Sequence, residues 1–374
     1  MAVSIVRTNF KNVKKSLERA LSLIQYEPRK NKIWLKPNIG SQFRTYLDGD
    51  YTCPQLVEAL IQYFDGCEII VGEGCAVGMD LTRAFERNGY RKLEKKYRNV
   101  TLLELETLPE EDRFPLKWKY GTLQVPKLLK THEYINLPSL KTNFLTWVTL
   151  GCKNQKGLLL HEDKKWFHRE DKVDIHDALF ELSRIIKPDL TIIDGIIAVE
   201  GDGPTSVLAR KKRMNLLIAG RDLYEVDNVG CAVMGLDPAM ARHLPIVKYE
   251  VVGEKIQNVR KPFKRPVIDR SYNLLNFHVT MKPCCTGCVM SFQGALIEML
   301  KPHELPNLPS RIHHFFRYGI VQSRYFLWGH DPVLPQKYGQ ATCFGNCSYK
   351  FAKQHDLPHV KGCPPPVEDI LKAF

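Results

Sequence analysis

Residues 32–71 read KIWLKPNIGSQFRTYLDGDYTCPQLVEALIQYFDGCEIIV, and the fold class follows from the pattern inside this stretch. Two short apolar runs, Lys32–Leu35 and Glu68–Val71, are typical of buried strands. Between them, the apolar residues of Cys53–Phe64 recur at helical spacing and predict a helix that covers a sheet. Strands that alternate with helices in this way indicate an α/β layered domain.

The same alternation extends along the chain on both sides of this stretch. Val13–Leu23 and Val173–Ile186 carry apolar residues at helical spacing. Leu116–Val125 alternates around Gly121 and predicts a hairpin inserted among these elements, which would make the sheet mixed. We therefore predict an α/β fold with a layered, mostly parallel or mixed sheet and helices on both faces. The remaining strand patterns are Ser4–Arg7, Val100–Leu105, Glu133–Leu137, Leu190–Ile193 and Leu216–Ala219.

The 374 residues are enough for two or three domains at about 150 residues per domain. Val252–Arg270 is basic and contains prolines, which is typical of a linker. We place the boundary there and predict an α/β domain at 1–268 and a smaller α/β, cysteine-rich domain at 269–374. The second domain is predicted to contain a strand, a cysteine loop, a helix and an aromatic segment, at Tyr272–Thr280, Cys284–Cys288, Ser291–Leu300 and Ile312–Trp328.

Composition excludes a disordered or fibrous chain, because 44% of the residues are hydrophobic and 25% are charged. The net charge of +13 favours acidic partners: a phosphorylated ligand, an acidic redox carrier, nucleic acid or anionic lipid. Residues 1–26 lack the pattern of a signal peptide, and no apolar run is long enough to span a bilayer. We therefore predict a cytoplasmic protein without a membrane segment.

Cysteines are concentrated in the last quarter of the chain, where six of the eleven lie. In a reducing compartment this clustering indicates a metal site rather than disulfides. The motif Cys285-Thr286-Gly287-Cys288 is followed by Gly345-Asn346-Cys347 and by Gly362-Cys363-Pro364. Three separated loops thus supply four thiols, a number that fits zinc and a 4Fe-4S cluster equally well.

These three motifs resemble the proximal-cluster site of nickel-iron hydrogenase small subunits and of the complex I small subunit. The resemblance implies a 4Fe-4S cluster bound by Cys285, Cys288, Cys347 and Cys363, with Cys284 and Cys343 as spares. The chain departs from those subunits in the shorter segment between the motifs and in Val289, which replaces an acidic residue. The resemblance therefore extends to the cluster and not to hydrogenase activity. Structural zinc, or ordinary buried cysteines, are the alternatives.

The first two-thirds of the chain resembles a family named domain of unknown function three-six-two. Members often carry a cysteine-rich iron-sulfur region, so this resemblance also implies a cluster, but it implies no reaction. The motifs that carry it, in order, are Trp34-Leu35-Lys36-Pro37-Asn38, Thr52-Cys53-Pro54, Val71-Gly72-Glu73-Gly74, the run from Leu150 to Gly157, the run from Asp194 to Pro204, and Gly220-Arg221-Asp222 with Asp227.

Several of these motifs place polar residues where strands end, which is where open α/β sheets bind ligands. Lys36 and Asn38 follow the second strand, and the loop with Lys153, Asn154 and Lys156 repeats the same chemistry. A lysine binds an anionic oxygen, and an amide both donates and accepts beside it. We predict Lys36 and Lys153 as catalytic residues and the two asparagines as ligand-binding. The structural alternatives are a bend held by Pro37 for the first motif and the start of a helix for the second.

A second group of candidates follows the strand that ends at Asp194. The glycines of Glu200-Gly201-Asp202-Gly203 would let backbone N–H groups point at an anion. Glu200 is predicted as an acid or base, and Asp194, Gly201 and Gly203 as ligand-binding residues. The alternative is an ordinary turn bracketed by its two acids.

Histidines lie just after the Lys153 loop, within an acidic segment. We predict His161 and His168 as proton donors, because imidazole titrates near neutral pH. No zinc signature is present among the histidines, and a solvated loop face is the alternative.

These predictions favour an iron-sulfur oxidoreductase that passes single electrons to an anionic small-molecule substrate bound by the first domain. A ferredoxin-like acidic protein is the predicted electron donor, because no G-x-G-x-x-G motif indicates a bound nicotinamide and Lys282, Lys350, Lys353 and Lys361 lie near the cysteines. A flavin is possible but not indicated. The alternatives are a non-catalytic electron-transfer or cofactor-maturation partner, and a zinc-stapled basic protein that binds nucleic acid. Nucleic acid is the weaker prediction, since the positive residues are dispersed.

Overall fold

The chain divides into two units, Met1–Pro266 and Val267–Phe374. This division lies beside the predicted boundary at residue 268. The computed structural model describes residues 2–40, 44–74, 80–168, 173–203, 209–267, 270–274, 277–281, 284, 288, 291–292, 294–295, 323–336 and 338–373.

A ten-stranded mixed sheet forms the centre of the first unit. Its order is β12-β1-β11-β10-β7-β2-β3-β4, with β8 paired to β10 and β9 paired to β8. A two-stranded sheet, β5-β6, accompanies it. The strands are β1 Ala2–Arg7, β2 Lys32–Pro37, β3 Glu68–Glu73, β4 Val100–Glu104, β5 Arg113–Trp118, β6 Gly121–Pro126, β7 Glu133–Leu137, β8 Ser139–Asn143, β9 Trp147–Thr149, β10 Leu190–Gly201, β11 Ala209–Gly220 and β12 Glu250–Gly253.

The predicted fold class is confirmed, and the sheet is mixed for a reason that the sequence did not indicate. β2 pairs in parallel with β3 and β7, and β10 pairs in parallel with β7. β11 runs antiparallel to both of its neighbours, β10 and β1. The predicted hairpin forms as β5 and β6, but these strands pair with each other and are not members of the large sheet.

Helices cover both faces of the sheet, as the alternation of side chains along β2 illustrates. Ile33 and Leu35 are buried in one core cluster with α1 and α2, whereas Trp34 is buried in another with α8. A third cluster is formed with α9. The helices are α1 Val13–Leu23, α2 Pro54–Tyr63, α3 Leu81–Arg87, α4 Tyr90–Lys96, α5 Leu128–Thr131, α6 Gly151–Asn154, α7 His161–Lys164, α8 Ile175–Ile185, α9 Leu223–Met234 and α10 Ile256–Val259.

The linker predicted at Val252–Arg270 is wrong in its first part. Residues 250–253 form β12, which pairs in parallel with β1 at the edge of the large sheet, and α10 follows. Charged and exposed residues flank this short strand, so its sequence lacks a strong apolar run. The irregular stretch between the two units is therefore shorter than predicted.

The second unit contains a five-stranded sheet in the order β13-β14-β15-β16-β17. β13 and β14 are antiparallel, and the other pairs are parallel. The predicted single strand Tyr272–Thr280 is in fact the hairpin β13-β14. Most of the predicted helix Ser291–Leu300 and of the aromatic segment lies outside the described residues. The elements are β13 Arg270–Leu274, β14 Phe277–Met281, β15 Arg324–Trp328, β16 Gln340–Phe344, β17 His359–Val360, α11 Tyr349–Gln354 and α12 Val367–Lys372.

Among the described helices, none combines the length and the apolar character needed to cross a membrane.

Candidate functional site

The candidate site of the first unit lies where the parallel strands β2, β3 and β7 end. Lys36 on β2 is in register with Asn136 on β7, and Glu73 is the last residue of β3. All three side chains are buried. The carboxyl edge of the sheet therefore brings together a cation, an acid and an amide from three strands.

Lys36 and Glu73 form a buried ion pair. Nζ of Lys36 lies 2.9 Å from Oε2 of Glu73, and the two side chains are 0% and 4% exposed. The N–H of Gly74 donates to the other carboxylate oxygen at 3.0 Å. Burial lowers the pKa of Lys36 and raises the pKa of Glu73, and each charge opposes the shift of the other. Each side chain therefore depends on the charge of the other to stay ionised in this buried environment.

The turn Gln155–Leu158 packs its backbone directly against this ion pair. A Cβ added at Gly157 would overlap Oε1 of Glu73 and would lie 2.7 Å from Nζ of Lys36. Only glycine lets the backbone approach the pair this closely.

We expect Gly157→Ala to lower the free energy of unfolding by roughly 1–3 kcal/mol, because the added methyl group must displace the ion pair. Chemical denaturation monitored by circular dichroism measures this change. Glu162→Ala, an exposed substitution nearby, serves as the control and should change stability by at most about 0.5 kcal/mol. Wild-type stability of Gly157→Ala would show that the pair has room to move.

A chain of amide hydrogen bonds joins the two predicted lysine motifs. Nδ2 of Asn38 donates to Oδ1 of Asn154 at 3.0 Å, and Nδ2 of Asn154 donates to Oδ1 of Asn136 at 2.8 Å. Nδ2 of Asn136 in turn donates to the carbonyl oxygen of Gly151 at 3.0 Å. Oδ1 of Asn38 is buried and receives no hydrogen bond from the described residues. The structure thus brings Lys36, Asn38 and Asn154 together.

Two further lysines have buried amines. Nζ of Lys153 has no hydrogen-bond partner among the described residues, although part of its side chain is exposed. Burial lowers its pKa well below the ordinary value, and the charges of Lys156 and Lys141 lower it further. Nζ of Lys141 donates to the carbonyl oxygen of Asp50 at 3.1 Å, and burial lowers its pKa to about 8. The sequence analysis missed Lys141. The only indication in the sequence is that this lysine follows closely after the apolar strand β7.

The predicted histidines differ in their positions. Nε2 of His161 lies 3.4 Å from Oε1 of Glu106, an acid that also binds Lys164. His161 thus lies beside the ion pair of Glu106 and Lys164, and its own side chain is partly exposed. His168 ends the turn Lys165–His168, and its side chain lies outside the described part.

A buried histidine pair was missed by the sequence analysis. Nδ1 of His176 lies 3.1 Å from Nδ1 of His243. Burial lowers the pKa of His176 to about 4 and holds the pKa of His243 well below its ordinary value, so both imidazoles are neutral near pH 7. His243 follows α9 in a segment without any motif, so its partner was not readable from the sequence.

Asp194, predicted as a ligand-binding residue, holds two backbone N–H groups in place. Its carboxylate accepts hydrogen bonds from the N–H groups of Cys53, at 2.6 Å, and Ile196, at 2.9 Å. Cys53 is the residue before α2, so Asp194 fixes the start of that helix. Burial raises its pKa to about 6. Asp227 acts in the same way on the N–H groups of Gly151 and Cys152.

The Glu200 loop is likewise built as a turn. Glu200 pairs with Lys212 at 2.7 Å, and the N–H of Lys264 donates to the same carboxylate oxygen. The N–H of Gly201 donates to the carbonyl oxygen of Lys264, and the N–H of Gly203 donates to that of Gly201. Both glycine N–H groups are therefore used inside the protein, and the prediction that they face an anion is corrected.

In the second unit, the described cysteine loops lie against one another. Sγ of Cys288 is 3.4 Å from the point that a Cβ of Gly345 would occupy. The N–H of Asn346 donates to the carbonyl oxygen of Gly362 at 2.9 Å, and the N–H of Gly362 donates to Oδ1 of Asn346 at 3.0 Å. The loops that carry Cys347 and Cys363 are thus tied together, with Cys288 beside them.

The predicted ligand set itself stays a prediction. Cys285 lies outside the described residues, and among those described no three His, Cys, Asp or Glu side chains form a group that could hold a metal ion. Cys284 is buried, and Cys343 lies on β16 in the core of the unit, where burial raises its pKa to about 11. A soft thiolate donor set on adjacent loops is chemically suited to an iron-sulfur cluster.

A family model described as domain of unknown function (DUF362) matches residues 33–232. The chain belongs to the DUF362 family. The matched residues include the Lys36–Glu73 pair, the amide chain, Lys141 and Lys153. The cysteine loops of the second unit lie beyond the matched residues.

Two further comparisons describe what this DUF362 member is similar to. It is 30% identical over 218 residues to the thylakoid-associated protein sll1697 of Synechocystis sp., a match that covers 56% of this chain and 64% of that protein. Its structure is similar to that of the lactate racemase apoprotein from Thermoanaerobacterium thermosaccharolyticum, with a TM-score of 0.42 and 14% identity. That match covers 63% of this chain and 57% of the racemase chain.

Proposed function

We propose that this DUF362 member is an iron-sulfur oxidoreductase. Its second unit would hold a 4Fe-4S cluster on Cys285, Cys288, Cys347 and Cys363, and its first unit would bind an anionic substrate. The observation that carries the proposal is the contact between Cys288 and the Gly345 loop, which is itself hydrogen-bonded to the loop of Cys363.

The donor set supports a cluster because thiolates from several loops are the ligands that iron-sulfur clusters use. When bound, such a cluster supplies one-electron chemistry. Lys350, Lys353 and Lys361 are exposed in the second unit. Their positive charge favours docking of an acidic, ferredoxin-like electron donor.

The carboxyl edge of the large sheet supports an anionic substrate. A buried polar atom without a hydrogen-bond partner in the protein is a place where a ligand can supply that partner. Nζ of Lys153 and Oδ1 of Asn38 are two such atoms among the described residues. Lys36, whose Nζ is paired with Glu73, lies on the same edge of the sheet, two residues before Asn38. We assign substrate binding to Lys153 and Asn38, and proton exchange to the Lys36–Glu73 pair. His161 is partly exposed and paired with Glu106, which suits a role in proton entry.

The metal content of anaerobically purified protein tests the proposal. We expect about four irons and about four sulfides per chain, with little zinc. Zinc in place of iron would indicate a structural zinc site instead of a cluster, and it would contradict the oxidoreductase proposal. A protein that carries neither metal after anaerobic reconstitution with iron and sulfide would also contradict it.

A further inference from the structure

The charged groups that act on the amine of Lys153 do not compensate a positive charge. Lys156 on the following turn and Lys141 on β8 are the charges that act on it most strongly, and both are positive. His176 at the start of α8 and His243 after α9 are affected by its charge, and both imidazoles are uncharged near pH 7.

The acids on the neighbouring helices are already engaged. Asp227 on α9 accepts hydrogen bonds from Gly151 and Cys152, at the start of α6. On α8, Asp177 binds Lys119 and Glu181 binds Arg184. With no acceptor among the described residues, a buried ammonium group at Lys153 would be unfavourable. The missing acceptor and the lowered pKa of Lys153 both favour the neutral amine.

We propose that the first unit binds an oxyanion, either a carboxylate or a phosphate, at Nζ of Lys153, and that this amine takes up one proton from solvent as the anion binds. The neutral amine becomes an ammonium group, which then donates a hydrogen bond to an oxygen of the ligand. This inference rests on the anion-binding half of the proposed function and adds the charged partner and the proton. It is independent of the cluster.

The sign of the pH effect follows from the proton balance. Because the empty site lacks the proton and the occupied site holds it, raising the pH weakens binding by up to about tenfold per pH unit. Burial lowers the pKa of Lys141 to about 8 and raises the pKa of Asp227 to about 6. Between these two values, from about pH 6.5 to 7.5, the titrations of Lys141 and Asp227 contribute least to the measured proton uptake.

Titration calorimetry with oxalate tests the proposal on the full-length protein. Oxalate keeps its charge across this range, so any proton taken up must go to the protein. Titrations in two buffers with different ionisation enthalpies measure the number of protons. We expect about one proton per bound oxalate and affinity that falls as the pH rises. A parallel titration with inorganic phosphate distinguishes the two oxyanion classes, and chloride keeps the ionic strength constant.

Two lysine variants distinguish the contribution of Lys153 to binding from that of Lys141. Lys153→Met should bind the probe at least about tenfold more weakly, with no proton uptake, and should melt at or above the wild-type temperature because an uncompensated polar group is removed. Lys141→Met should bind more weakly but should keep the proton uptake.

Three outcomes would overturn the inference in distinguishable ways. Binding without proton uptake would remove the proton from the inference. Wild-type affinity in Lys153→Met would remove Lys153 from the substrate-binding residues and leave anion binding by the first unit standing. Failure of both oxalate and phosphate to bind the wild-type protein would overturn this inference together with the anion-binding half of the proposed function. The iron content would be unaffected in every case.

Discussion

Lys36→Met is expected to lower the free energy of unfolding by roughly 3–5 kcal/mol, because it leaves the carboxylate of Glu73 buried without its partner. Nζ of Lys36 is 2.9 Å from that carboxylate, and both side chains are almost wholly removed from solvent. Burial already raises the pKa of Glu73, so the lone acid would be protonated or would open the site to water. Denaturant unfolding curves at pH 7 measure the loss.

Two further variants make this result specific. Lys36→Met combined with Glu73→Gln should recover much of the lost stability, since the two neutral side chains leave no unpaired charge. Lys32→Met is the matched control, because Lys32 begins the same strand and forms an exposed ion pair with Glu68 at 3.0 Å. That variant should change stability by at most about 1 kcal/mol. Equal effects in Lys32→Met and Lys36→Met would contradict the role given to the buried pair.

Cys288→Ala and Cys363→Ala are each expected to abolish the iron and sulfide content of the protein. Each variant removes one of the four predicted thiolates, and four cysteine thiolates are the usual ligand set that holds a 4Fe-4S cluster. Cys343→Ala is the matched control in the same unit, because Cys343 is a buried core residue on β16 and is predicted to be a spare. Iron and sulfide analysis after anaerobic reconstitution measures all three variants.

Circular dichroism of the same samples shows whether each variant folds. Loss of iron in a folded Cys288→Ala or Cys363→Ala, with iron retained in Cys343→Ala, is the predicted result. Iron retained in both ligand variants would contradict the ligand assignment. If Cys288→Ala fails to fold, Cys288→Ser, which keeps a polar hydroxyl group in place of the thiol, provides a second test.

The sequence predicted which motifs lie at the edge of the sheet, because the ends of strands can be located from local patterns. Lys36 and Asn38 follow an apolar run, and the Lys153 loop follows another, so both motifs were expected at the edge of a sheet. The hydrogen bond between Asn38 and Asn154 is consistent with that expectation. Glu73 was quoted only as part of a motif, since nothing local shows that its strand lies beside that of Lys36.

The contacts of several predicted residues could not be foreseen, because a polar residue's partner lies far away along the chain. Asp194 and Glu200 resembled site residues in the sequence, but Cys53 and Lys212 engage their carboxylates in the fold. His243 carried no signal because its partner is His176, on a different helix. Local patterns give the positions of side chains and not the groups that they contact.

The measurement that tests the central claim most directly is the electron paramagnetic resonance spectrum of the anaerobically purified protein before and after dithionite reduction. The account predicts no signal from the oxidised cluster and, after reduction, a low-temperature signal of a one-electron-reduced 4Fe-4S cluster that is lost in Cys288→Ala. No signal after reduction, in protein whose metal is zinc, would contradict the account.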